Sequence, residues 1–244
     1  MKSTYLSRPR TTVPVAVVVV LVIGNILSNR VTPDVLYVPI RLITATVVYF
    51  VARELVTTWD MGFRNWTNGA RWGLVVMLTG LVLYLTAALL PWFEDLFYDR
   101  RVDGGIVRMF YMAFVRIPFG TVVLEEFAFR AALPAVFAKH MSTFRAAVVA
   151  SVLFGFWHVL PSLNLSEVNP FFEWLLGDGT AGKIGGIAIA VFGSFLAGLW
   201  LSFLRFRSGS ILAPVIAHWA SNAGAYVLAW IFGGAIIDTE IVLR

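Results

Sequence analysis

Residues 107–138 read VRMFYMAFVRIPFGTVVLEEFAFRAALPAVFA. The stretch is apolar enough to sit in lipid, yet Arg116, Glu125, Glu126 and Arg130 interrupt it. A charge near the bilayer centre costs at least about 2.5–3.5 kcal/mol on insertion scales, so each of these residues needs a partner or a purpose. The stretch is also long for one straight crossing and contains Pro118 and Pro134, so a kink or a split into two helices is expected.

The surrounding chain is of the same kind. Apolar runs of about 20 residues, the length a bilayer core requires of a helix, occur at 13–29, 35–56, 72–92, 107–138, 144–163, 184–204 and 209–236. Over the whole chain 14% of residues are charged and the mean hydropathy is +0.81, against roughly 25% charged in a soluble domain. The polar surface needed to face water is missing. The expected fold is all-α, a polytopic transmembrane bundle of seven or eight spans forming one membrane domain over 1–244. Lys2, Arg8 and Arg10 precede the first run as in a signal peptide, but no small-x-small cleavage site closes it, so it reads as a retained span.

Charges between the runs suggest an orientation. With the N-terminus inside, the inner segments hold ten Lys/Arg, among them Arg64, Lys139, Arg145 and Arg205, and the outer segments hold six. That asymmetry follows the positive-inside rule. The Val- and Ala-rich spans and Arg-rich inner loops suggest a bacterial cytoplasmic membrane. The absence of cysteine excludes thiol nucleophiles, thiolate metal sites and disulfides. No basic patch interleaved with aromatics suggests nucleic-acid binding.

The ionisable residues left inside the spans are Arg41, Arg116, Glu125, Glu126 and Arg130, with His158 and His218 beside them. Glu126 and Arg130 are one turn apart with the acid first, the favourable order for a pair, and a buried arginine–carboxylate pair of the bidentate kind is expected. Glu125 points about 100° away and has no local partner, which suits a general base. Phe154 and His158 share a helix face, as do His218 and Asn222. A lone histidine in an apolar span is more often a satisfied core residue, and His218 with Asn222 can serve only as interhelical hydrogen bonding; the paired glutamates shift that balance. Arg41 lies near a span end and is expected to snorkel to the headgroups. Arg116 is expected to face the same cavity as Glu125, and His140 reads as interfacial.

Glu125-Glu126-x-x-x-Arg130, Phe154-x-x-x-His158 and His218-x-x-x-Asn222 together resemble the three-motif signature of the CPBP intramembrane proteases. That family joins type II CAAX prenyl endopeptidases with bacteriocin-processing and self-immunity (Abi) proteins. The resemblance runs from 125 to 222 and implies a catalytic core at about 107–236. It implies a metal-independent glutamate endopeptidase without cofactors. In that scheme Glu125 and His158 hold and activate a water, Glu126 and Arg130 set the motif's position, and His218 and Asn222 donate to an oxyanion. Its partners would be the bilayer and a membrane-associated peptide, prenylated or of bacteriocin type. The last four residues, Ile-Val-Leu-Arg, contain no cysteine and are not a CAAX box. Three other readings stay open: a zinc enzyme with Glu125, His158 and His218 as ligands, a proton-coupled transporter, and a non-enzymatic membrane immunity or partner protein. The lack of a visible internal repeat counts against the transporter.

Overall fold

In a computed structural model of the chain, residues 11–177 and 179–242 are described, without the side chains of Trp92, Glu94 and 233–242. The charges at Lys2, Arg8, Arg10, Asp178, Asp238, Glu240 and Arg244, and the chain end at 243–244, therefore lie outside what is described. Among the described residues the secondary structure is helical throughout.

Among the described residues, six helices are long and apolar enough to cross a bilayer: α1 Thr12–Val31, α2 Asp34–Arg53, α3 Trp66–Ala88, α4 Ile106–Phe137, α6 Gly179–Ser208 and α7, whose apolar portion is Leu212–Phe232. Between α4 and α6 lies α5, Thr143–Trp157. The sequence suggests a full span at 144–163, but α5 has only 15 residues, about 22 Å of helix against a core of about 30 Å. It stops because His158 becomes its C-terminal cap, and residues 158–164 continue as turns. Irregular backbone at membrane depth is tolerated where protein or a polar cavity covers it, and that is where α5 ends.

The proline-containing fourth stretch is one continuous helix of 32 residues, not two. Three π-helical segments, Met112–Arg116, Pro118–Val122 and Phe127–Ala132, run through α4. Proline cannot donate to the preceding turn, and wide turns re-register the backbone around that gap while leaving the helix unbroken. Between the π segments, Leu124, Glu125 and Glu126 form regular α-helix and are buried.

Packing brings α4 to the centre. Helices α2 and α5 lie against it, α1 pairs with α2, α5 pairs closely with α6, and α3 pairs with α7. Small residues permit these approaches. A Cβ placed on Gly155 of α5 would come within 2.7 Å of the Val191 carbonyl oxygen of α6, and one on Gly24 of α1 within 2.5 Å of the Thr44 side chain of α2. The main apolar core gathers Val17 and Leu21 of α1, Val48 of α2, Leu124 and Leu133 of α4, and Phe154 and Trp157 of α5. The glutamates therefore sit within packed protein rather than against lipid.

Candidate active site

The site is built outward from Glu125, only 3% exposed. Its Oε1 accepts a hydrogen bond from the Trp157 indole Nε1 at 2.9 Å and lies 3.9 Å from Nη1 of Arg41. Its Oε2 lies 4.0 Å from Nε2 of His158 and 3.9 Å from Nε2 of His218. Glu125, unpartnered within its own helix, is thus surrounded by groups from α2, α5 and α7.

Arg41 corrects the snorkelling expectation. It is fully buried and faces inward, its guanidinium 4.8 Å from the Tyr37 ring centroid and 4.6 Å from that of Trp157. The two aromatic faces and the Glu125 carboxylate hold the charge where lipid headgroups were expected to. Arg116 instead pairs with Asp34 at 2.6 Å, over the Tyr37 ring. His140 is exposed.

Glu126 makes the second half of the site. Its Oε1 is 2.7 Å from Nδ1 of His218, and its Oε2 is 3.4 Å from Nε of Arg130. The expected bidentate pair does not form: none of the three Arg130 nitrogens makes a hydrogen bond among the described residues, and the guanidinium lies 3.8 Å above the Phe154 ring centroid. The stronger partner of Glu126 is the histidine of α7, because Arg130 is drawn onto the aromatic face. Glu125, Glu126, Arg41 and Arg130 form a charge-balanced buried set.

The end of α5 fixes His158. The last four carbonyls of a helix lack intrahelical donors, and His158 Nδ1 uses one of them, the Phe154 carbonyl, at 2.8 Å. Asn25 of α1 donates to another, the Trp157 carbonyl, at 3.1 Å. A carbonyl only accepts, so Nδ1 carries the proton and Nε2, on the side of Glu125, is a lone pair in the neutral ring. In His218, Nδ1–H donates to Glu126 while Nε2 accepts from the Asn222 amide at 3.1 Å. Phe154 meets both imidazoles edge-on, with centroids 4.6 and 6.1 Å away. Asn222 also lines a cavity of about 510 Å³, together with Tyr37, Arg116 and Tyr226.

All six residues singled out in the sequence, Glu125, Glu126, Arg130, His158, His218 and Asn222, thus converge on one place. Residues 107–224 match the family model described as type II CAAX prenyl endopeptidase Rce1-like. Over those residues, just under half of the chain, the protein is similar to this family. That similarity supports a CAAX-type intramembrane protease in general, and the match spans all three motifs. No curated protein and no solved structure matches. Arg41, Tyr37 and Asn25 lie outside the matched residues. Sequence reasoning missed the inward roles of Arg41 and Trp157. The available signals were a full charge within a span and an indole donor directly before His158.

Among the described residues, no three His, Asp or Glu groups are placed to hold a metal ion. The His218 Nε2 that a zinc would take is already bonded to Asn222.

Removing one partner of a buried charge set leaves the other uncompensated, at about 3–5 kcal/mol. Arg41→Met should lower stability by that amount in detergent unfolding. The Arg41→Met/Glu125→Gln double variant should be more stable than the sum of the single losses. Additive losses would mean that Arg41 and Glu125 do not interact.

Proposed function

We propose that this chain is a metal-independent glutamate endopeptidase, with Glu125 as the general base. The observation that carries this reading is the triangle of Glu125 Oε2, His158 Nε2 and His218 Nε2, with the carboxylate oxygen 4.0 and 3.9 Å from the two rings. Those separations are too long for direct hydrogen bonds. They match the span of about 4 Å between two acceptors that share one water oxygen through hydrogen bonds of about 2.8 Å meeting near a right angle.

In the proposed reaction a water donates one hydrogen to Glu125 and the other to the His158 lone pair. As the water oxygen bonds to the scissile carbonyl carbon, Glu125 takes its proton and the carbonyl oxygen becomes an oxyanion. Asn222, with a second amide N–H beyond the one given to His218, donates to that oxyanion. His218, held by Glu126, orients Asn222 and donates itself only when doubly protonated. Glu125 then passes its proton to the amide nitrogen, the C–N bond breaks, and the products are a carboxylic acid and an amine. Arg41 faces Glu125 and Arg130 faces Glu126 across the buried site, and Glu126 and Arg130 position the first motif.

The proposed substrate is a membrane-associated peptide, either one cleaved beside a prenylated cysteine, which the family similarity supports, or one of bacteriocin type. The proposed location is a bacterial cytoplasmic membrane, with the N-terminus inside and the catalytic core at 107–236.

The test is cleavage of membrane-anchored peptides, prenylated and not, by the purified chain in liposomes. Glu125→Ala and His158→Ala should each lower kcat by about 10²–10⁴-fold, the range for a general base. Asn222→Ala should lower it by about 10²–10³-fold, as for an oxyanion donor. A chelator should change nothing. Loss of activity on chelation would transfer the reading to zinc, and wild-type function in Glu125→Ala would point to a non-enzymatic membrane partner.

Orientation has its own test, helped by the absence of native cysteine. His140→Cys should react with an impermeant maleimide only after cells are opened. Val35→Cys, at a residue 80% exposed, should react on intact cells. The reverse pattern would invert the proposed topology.

A further inference from the structure

Beyond the catalytic cluster, toward the opposite end of the bundle from Asn222, lies a second cavity of about 290 Å³. Its lining includes Arg64, Arg130, Lys139 and Arg205, and the only carboxylate among its lining residues is Asp60. Like charges converging in a partly enclosed space are unfavourable unless something offsets them.

Among the described residues that offset is only partial: Glu126 stands 3.4 Å from Arg130 and Asp60 3.5 Å from Lys139, and no carboxylate pairs with Arg64 or Arg205. Arg205 is 3% exposed, and its Nη2 donates to the Asp60 backbone carbonyl at 3.0 Å, but its Nε is shielded from solvent and has no acceptor among the described residues. Arg64 Nε is in the same condition, and so are all three nitrogens of the 1% exposed Arg130. Arg64 and Arg205 line the same cavity, where their like charges oppose one another. Asp60 does not relieve them: its Oδ2 accepts from the backbone N–H and hydroxyl of Thr57 and lies 3.5 Å from Lys139 Nζ. Those contacts hold its carboxyl below the usual range and keep it ionised.

The backbone is shaped to bring Arg205 here. Gly62 takes φ +89° in the loop between α2 and α3, and a Cβ on it would overlap the Arg205 guanidinium. Only glycine combines that conformation with that approach. Arg205 also lies in the last turn of α6, where the helix dipole favours a cation. That accounts for the charge but leaves its Nε unsatisfied.

We propose that this cavity is a binding site for a phosphate group. Guanidinium groups reach it from three elements, the α2–α3 loop, α4 and α6. The tetrahedral oxygens of a phosphate can meet donors arriving from three directions, and arginine forks match them. Trp59 and Phe206 also line the cavity and are 59% and 41% exposed, a setting that suits a headgroup whose acyl chains leave toward lipid. The same chemistry would accept free phosphate. Arg130, which lines the site, belongs to the first motif and lies 3.4 Å from Glu126, so the bound anion sits one side chain from the glutamates.

The test uses the full chain in phosphatidylcholine nanodiscs, titrated with inorganic phosphate by thermal shift and with phosphatidylglycerol by native mass spectrometry. Arg64→Gln and Arg205→Gln should each weaken binding about tenfold, the loss expected for a charge-assisted hydrogen bond. Arg145→Gln, at an exposed position beside the site, should not. Binding of phosphatidylglycerol alone identifies a lipid headgroup as the source, and binding of inorganic phosphate as well identifies an open phosphate site. Arg64 is half-buried on a loop, so its variant keeps the test readable should Arg205→Gln fail to fold. Binding of neither probe by the wild type, or full retention by Arg64→Gln, would overturn the proposal.

Discussion

Glu125, Glu126, Arg41 and Arg130 are enclosed within helices that face lipid, with side chains at most 4% exposed. Four such charges are tolerable only together, since each loses its hydration and must recover the loss from its neighbours. Recovery comes from separate helices: Arg41 from α2, both glutamates and Arg130 from α4, Trp157 and His158 from the end of α5, and His218 from α7. The bundle cannot rearrange one of these helices without exposing a charge. Helix packing and site geometry are therefore the same constraint, which explains why α4, bearing three of the four charges, is the element the others surround.

Aromatic rings do much of the work that hydrogen bonds do in soluble sites. Tyr37 and Trp157 cover Arg41, and Phe154 lies under Arg130 while touching His158 and His218 edge-on. A ring face stabilises a cation without bringing water. That leaves Oε2 of Glu125 facing two imidazole nitrogens rather than a guanidinium. The early end of α5 adds the other requirement: its unpaired Phe154 carbonyl sets the His158 tautomer, so the lone pair faces the glutamate.

The membrane class, the helical bundle and the convergence of the three motifs were legible because each depends on local spacing. Apolar runs report spans, and i,i+4 pairs report shared faces. What was not legible depends on contacts between distant segments. Arg41 looked like a headgroup anchor because its position near a span end says nothing of which way α2 faces. Glu126 looked committed to Arg130, whereas His218, 92 residues away, takes its nearer oxygen. The length of α5 was overestimated because residues 158–163 remain apolar enough to continue a span, and only the tertiary partners of the carbonyls it leaves free make an early stop tolerable. The fourth stretch was expected to kink or split at its prolines; π turns kept it whole.

The central chemical claim is that Glu125 activates water rather than attacking the substrate itself. A single turnover in H₂¹⁸O, with enzyme in excess over a cleaved membrane-anchored peptide, tests it directly. Mass spectrometry of the products and of the Glu125 peptide should find the label in the new peptide carboxylate and none in Glu125. Label in the Glu125 carboxylate would mean that a covalent anhydride had formed and been hydrolysed, and would contradict the account.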